Sequence, residues 1–169
     1  VMRAAGQREQ DRECARCYLD SPIGGLEIRG SSDSLLEVRF VQHTAPDSSE
    51  LPEALHQGRR QLAEYFQGDR QSFDLPLDLK GTAFQVLVWR GLEQIPYAVT
   101  VSYRELAACV GRPKAFRAVG QANHRNPIPI IIPCHRVIGS DGSMTGYGSG
   151  IWRKQWLLEH EQRIAAASS

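Results

Sequence analysis

A thiol beside an imidazole is the arrangement in this chain best suited to covalent chemistry, and it occurs at Cys134-His135. A cysteine attacks as its thiolate, and a neighbouring imidazole or cation lowers the thiol pKa from ~8.5 toward neutrality. His135, or a water it activates, is therefore the expected base, with a carboxylate to orient the ring. Adjacent residues of an extended chain point to opposite sides, so the pair can cooperate only within a turn. The competing reading is a buried, inert cysteine. The surroundings are basic: no acid falls between Glu105 and Asp141, whereas Arg112, Lys114, Arg117, Arg125 and Arg136 all do. That field suits a polyanion, or else is an ordinary solvated face.

The elements that must position this pair are legible on both sides of it. Pro127-Ile128-Pro129-Ile130-Ile131-Ile132-Pro133 is barred from a regular helix by its prolines and drawn inward by its isoleucines, predicting a short buried strand or extended segment. Val137-Ile138 and a turn at Gly139-Ser140-Asp141-Gly142 follow, the Asp-Gly pair suiting a hairpin wing. Next come a Gly-rich loop over 146–150 and a last helix from about Ile151 to Gln162, with Trp152, Trp156 and Leu157 as its inner face. Upstream, Thr82 and Gln85 are spaced as a capping box for a helix with Phe84, Leu87, Val88, Leu92 and Ile95 on one face, ended by Pro96. Ser102 and Glu105 form a second box, opening a short helix closed by Gly111. A further helix from Lys114 to about Asn123 completes a helix-turn-helix pattern.

The first half differs in character. Cys17 to Asp20, Leu26 to Ile28 and Leu35 to Val41 read as strands of a small antiparallel sheet, the first two joined by Ser21-Pro22-Ile23-Gly24-Gly25. A helix follows from Glu53 to Gln67, stopped by Gly68-Asp69, and Phe73, Leu75 and Leu77 alternate as another strand. The expected organisation is a tail over 1–13, a sheet domain over 14–80 and a second domain over 81–169, hinged at Leu79-Lys80-Gly81. Net charge is +1, but residues 81–169 hold 10 Lys+Arg against 5 Asp+Glu while residues 1–80 hold 10 against 14. The positive half is the one that carries Cys134. Residues 1–13 lack the apolar core of a secretory signal, and no apolar run reaches membrane-spanning length. An intracellular location is expected, cytoplasmic in a prokaryote and nuclear in a eukaryote. The four cysteines, at 14, 17, 109 and 134, are too few and too scattered to form a disulfide framework.

Pro133-Cys134-His135-Arg136-Val137-Ile138-Gly139, with Asn126-Pro127 and Arg117-Ala118-Val119-Gly120 before it, resembles the signature of the O6-alkylguanine-DNA alkyltransferases, or methylated-DNA–protein-cysteine methyltransferases. Asp20-Ser21-Pro22-Ile23-Gly24 resembles the family's first hairpin, and Phe84 to Glu161 follows its C-terminal domain almost continuously. The resemblance implies an α+β fold: a ribonuclease-H-like antiparallel sheet with a helix, then a winged helix-turn-helix domain. It implies repair by direct damage reversal, in which the protein binds duplex DNA, flips O6-alkylguanine out and takes the alkyl group irreversibly onto Cys134, once per molecule. The matching positions make His135 a base acting through water, Glu161 its orienting carboxylate, Tyr103 a hydrogen-bond partner of the guanine, and Asn126 the residue pinning the reactive loop. Arg117 matches a finger that enters the base stack, and Ala118 belongs to a slim helix face set in the minor groove. Arg112, Lys114 and Arg125 are candidate phosphate contacts, and Val137, Tyr147 and Gly148 candidate base-pocket residues.

No cofactor or metal is expected. Ser31, Leu36 and Ala83 stand near the zinc-ligand positions of some relatives, and Cys14-Ala15-Arg16-Cys17 is half a motif without a second half. Three departures stand out: Gly148 in place of a serine, Phe116 in place of a small residue, and Ala98 in place of glycine. The expected partner is double-stranded DNA containing O6-alkylguanine, bound by a monomer, with cooperativity along DNA an open alternative. Two other readings compete. One is a helix-turn-helix sensor that controls transcription through Cys134 without repair, and the other is a cysteine hydrolase, for which no oxyanion site is evident.

Overall fold

The computed structural model describes residues 14–169, so the tail expected over 1–13 lies outside the described residues. The chain forms two compact units that meet between Asp78 and Leu79.

The first unit is an antiparallel sheet with one helix. β1 (Ala15–Ser21), β2 (Gly24–Gly30) and β3 (Leu35–Val41) lie in the order β1-β2-β3. The β1-β2 turn is only Pro22-Ile23, closed by Gly24 at φ 115, and Ile23 is buried. Helix α1 (Glu53–Gln67) has the expected bounds and ends at Gly68 in the left-handed region. It brings Leu55, Leu62 and Tyr65 into the core with Leu26, Ile28, Leu35 and Val38. Gly30 is required where helix and sheet meet, because a Cβ there would lie 2.6 Å from the Ser34 carbonyl oxygen as well as 2.5 Å from Leu55 Cδ1.

The strand expected at Phe73–Leu77 is a correction. Only a single bridge forms, Leu35 to Leu77, since Pro76 has no N–H to donate. Buried Gln61 instead serves the Asp74 backbone, donating to its carbonyl at 3.0 Å and accepting its N–H at 2.9 Å. Cys17 is buried against the Leu55 carbonyl, and burial pushes its thiol up to about 11, so it is an inert core residue.

The second unit contains α2 (Ala83–Leu92), β4 (Val101–Ser102), α3 (Tyr103–Cys109), α4 (Phe116–His124), a 3₁₀ turn (Cys134–Arg136), β5 (Val137–Ile138) and α5 (Ile151–Ala167). Both capping boxes form, Thr82 with Gln85 and Ser102 with Glu105. Gly111 takes φ 74 just past α3, turning the chain toward α4. Four expectations are corrected here. Helix α2 stops at Leu92, before Pro96, and its Leu87 is exposed while Trp89 is buried. The Trp89 indole finds a use inside, donating to the Ala122 carbonyl of α4 at 2.8 Å. Helix α4 starts at Phe116 rather than Lys114. The Asp141-Gly142 turn forms, but no returning strand follows it among the described residues, and Val137-Ile138 pairs parallel with Val101-Ser102 instead.

The fourth correction concerns α5. Trp152 is 56% exposed, and the buried stripe is Lys154, Leu157, Leu158 and Glu161 at helical spacing. Reading periodicity from apolar residues alone missed it, because both ends of the stripe are charged. The prolines do keep 127–133 out of helix, and Ile128, Ile130 and Ile132 are fully buried.

Candidate active site

The reactive pair sits where the buried 127–133 segment gives way to a 3₁₀ turn, so Cys134 and His135 are presented by a turn rather than a strand. The turn is held from several sides. Asn126 Nδ2 donates to the Ile132 carbonyl at 2.7 Å while its Oδ1 accepts the Ile128 N–H at 2.9 Å, tying both ends of the preceding segment together. Asn123 Nδ2 reaches the Cys134 carbonyl at 3.5 Å. Within this segment Ile130 adopts φ 74, a conformation costly for a β-branched residue.

His135 is fully buried, and its Nε2 lies 2.7 Å from Glu161 Oε1. Burial holds the imidazole below its ordinary pKa, although the Glu161 carboxylate works the other way. A neutral ring facing a carboxylate must carry its proton on Nε2, which leaves Nδ1 with the lone pair. Nδ1 is buried without a hydrogen-bond partner. It is therefore free to accept a proton.

The carboxylate that orients the ring is itself tightly held. Arg136 Nη2 donates to Glu161 Oε1 at 2.8 Å, and Arg136 Nε and the Ala98 N–H donate to Oε2 at 2.9 and 3.1 Å. Arg136 Nη1 donates to the Ile95 carbonyl at 2.7 Å. Burial alone would raise the Glu161 pKa, but His135 and Arg136 together hold it far below the usual carboxylate range. Arg136 thus leaves the surface field in which the sequence placed it, because its guanidinium is consumed by a buried carboxylate.

Ala98, one of the departures, lies in this network. It occupies φ 60, where a Cβ is strained and glycine is not. Ala98→Gly is expected to raise stability by about 0.5–1 kcal/mol, seen as a higher denaturant midpoint with an unchanged slope.

The Cys134 thiol contradicts the expected acidity. Burial pushes it up to about 11, against the smaller lowering effects of the Asn126 side chain and the Lys154 ammonium. At neutral pH the resting group is a thiol, and its proton must leave as attack occurs. It lines a cavity of about 50 Å³ with Asn126, Gly146, Tyr147 and Gly148 among its walls. That is room for a water or two and not for a purine-sized ring.

Lys154 is the residue that sequence reasoning missed. Its ammonium is buried and donates to the Val137 carbonyl at 2.5 Å and the Thr145 carbonyl at 3.1 Å, tying α5 to β5 and to the residue just before the Gly-rich loop. The only available signal was its spacing, three and seven residues from Leu157 and Glu161. Lys154→Met is expected to raise the Cys134 pKa further, seen as ultraviolet thiolate absorbance that appears only at higher pH than in the parent. An unchanged titration would remove Lys154 from the thiol's electrostatics.

The remaining site residues divide between pocket and surface. Tyr103 stands in the first turn of α3, and its hydroxyl donates to the Thr145 carbonyl at 3.1 Å. Tyr147 is buried with an unpartnered hydroxyl, Val137 is buried, and Gly148 is exposed, where a Cβ would make only an ordinary contact with the His124 carbonyl oxygen at 3.9 Å. Arg112, Lys114, Arg117, Ala118 and Arg125 are exposed on or beside α4, apart from the reactive turn.

Two family models cover nearly all of the described chain. Residues 16–79 match the ribonuclease-like domain of 6-O-methylguanine DNA methyltransferase, and residues 83–163 match its DNA-binding domain. A methylated-DNA–protein-cysteine methyltransferase of Mycolicibacterium paratuberculosis is 49% identical over 154 residues, covering 89% of this chain and 93% of that protein. This chain belongs to the methylated-DNA–protein-cysteine methyltransferase family. Another member, from Methanosarcina barkeri, is 46% identical over 85% of this chain and 94% of its own length. The crystal structure of the Mycobacterium tuberculosis O6-methylguanine methyltransferase matches with a TM-score of 0.80 at 45% identity, covering 89% of this chain and 94% of that one. A structure of the Mycobacterium tuberculosis protein in complex with DNA matches with a TM-score of 0.79 at 47% identity, over 87% and 92% of the two chains. For a methyltransferase of this family the α+β expectation and the two kinds of unit stand as read from the sequence. Among the described residues no helix is long and apolar enough to cross a membrane.

Proposed function

We propose that this protein repairs duplex DNA by taking the alkyl group from O6-alkylguanine onto Cys134, once per molecule and without a cofactor. The observation that carries the reading is the buried relay in which Glu161 and Arg136 fix the ring of His135, the residue next to Cys134 in the reactive turn, and leave its Nδ1 without a hydrogen-bond partner. His135 Nδ1, through a water, takes the Cys134 proton. The thiolate sulfur attacks the alkyl carbon, a carbon–sulfur bond forms, and the carbon–O6 bond breaks with its electron pair going to the purine. Tyr103 passes a proton to the leaving guanine and is itself reprotonated from solvent, while the proton taken from Cys134 leaves His135 to solvent, so neutral guanine and a neutral thioether result. The product thioether has no good leaving group, so nothing restores the thiol.

The base cannot be attacked inside the duplex and must be extruded, at a cost of a few kcal/mol in pairing and stacking. Arg117 fills the gap it leaves, while Arg112, Lys114 and Arg125 hold phosphates. Ala118 keeps that face of α4 slim. The extruded base lies against Val137, Tyr147 and the backbone at Gly148. The protein acts as a monomer inside the cell.

Mixing the protein with duplex DNA containing O6-methylguanine should add one methyl group to the intact mass, located by peptide mapping on the segment containing Cys134. Demethylated DNA with an unmodified protein, or no reaction at all, would overturn this function.

A further inference from the structure

Phe116 is the departure that neither the catalytic relay nor the phosphate contacts absorb. It opens α4 one residue before Arg117 and is only half buried. The Arg104 guanidinium of α3 lies 4.2 Å from the ring centroid and that of Arg117 lies 6.0 Å away. The ring also lines an open, predominantly apolar depression of about 300 Å³, shared with Tyr103, Arg117, Gly120, Gln121 and His124. A Cβ at Gly120 would meet only the Tyr103 ring, at 3.6 Å, so packing does not demand glycine there and its bareness deepens the depression. Two aromatic rings near a bare glycine, rimmed by guanidiniums, match the chemistry that accepts a flat ring beside phosphates. The surrounding charge agrees: Arg104, Arg112, Lys114, Arg117 and Arg125 are exposed, and nearby Glu105 is engaged with the Ser102 N–H at 2.6 Å.

We propose that Phe116 is a second wedge beside Arg117, stacking the exposed part of its ring on the base next to the extruded nucleotide. The Arg104 guanidinium, 4.2 Å from the ring centroid, backs the ring and fixes its angle, while the more distant Arg117 moves off it into the gap. Apolar side chains inserted at base steps are a recurring device of proteins that bind the minor groove, and a ring here divides the work of holding the gap open between stacking and charge. The inference rests on the reading of this chain as a DNA alkyl acceptor and names a further positioning residue for it.

The test uses the full chain with Phe116→Ala and Phe116→Leu, a duplex carrying 2-aminopurine beside O6-methylguanine, and free O6-benzylguanine. Phe116→Ala should slow duplex repair about tenfold more than it slows transfer from the free base, which needs no flipping. 2-Aminopurine, already quenched by stacking in the free duplex, should stay quenched when the parent extrudes its neighbour, and Phe116→Leu, which keeps apolar bulk without a ring, should let it brighten. Equal slowing on both substrates would assign Phe116 to packing and overturn the proposal, as would full quenching by the Leu variant. A parent protein that takes no methyl group from duplex DNA would instead bring down the functional reading itself.

Discussion

Cys134→Ser is expected to abolish alkyl transfer, with a rate loss of more than about 10⁴-fold, while leaving a folded protein that still binds DNA. The hydroxyl fits where the thiol stood, so the buried turn and its Asn126 and Asn123 ties should survive. What is lost is the nucleophile. Even a thiol pushed up to about 11 is far more acidic than an aliphatic alcohol, and His135 Nδ1 is too weak a base to deprotonate serine at neutral pH. Intact mass after incubation with O6-methylguanine duplex is the readout, and a methyl group gained by the Ser variant would show that another residue is the acceptor. DNA affinity of this variant should fall steeply as salt rises, since exposed Arg112, Lys114, Arg117 and Arg125 can release counterions. A flat salt dependence would contradict the assignment of that surface to phosphate binding.

Glu161→Gln should be the most destabilising conservative substitution in the second unit, costing about 3–5 kcal/mol. Both carboxylate oxygens act as acceptors: Oε1 faces His135 and Arg136, and Oε2 faces Arg136 and the Ala98 N–H. An amide offers one acceptor oxygen. In either orientation its NH₂ therefore meets donors, and the Arg136 guanidinium stays buried without its counter-charge. Alkyl transfer should slow as well, because His135 loses the partner that fixes its tautomer. The expected measurement is a lower denaturant midpoint together with a slower methylation rate, and a stability within about 0.5 kcal/mol of the parent would refute the account.

Acid should erode the same network. Glu161 is held below its ordinary value in the folded state, so its contribution is present above the unfolded carboxylate range and is lost as pH falls through and below ~4.5. His135 is also held down, so its contribution begins to fade below ~6.5, where the unfolded chain takes up the proton first. The stability gap between parent and Glu161→Gln should accordingly narrow as pH drops from ~5 toward ~3. A gap independent of pH over that range would mean that Glu161 is not the ionised hub of the relay.

Local signals in the sequence determined a good deal of this protein. The two capping boxes, the glycine after α1 and the proline-isoleucine run each act within a few residues, and each appears where the chain itself places it. The Cys134-His135 pair and the basic stretch around it were likewise visible, and so was Glu161 once a family pattern supplied the pairing. Tertiary structure decided which charges are inside. Arg136 and Lys154 look like surface cations in the sequence, yet one is spent on Glu161 and the other on the Val137 and Thr145 carbonyls, while Trp152 faces outward. Polarity alone could not announce this, because a buried charge is tolerated only where partners from distant segments meet it. The acidity of Cys134 was decided the same way. An adjacent imidazole suggested a thiolate, but burial outweighs the nearby cation, and only the packed fold sets how much water reaches the sulfur.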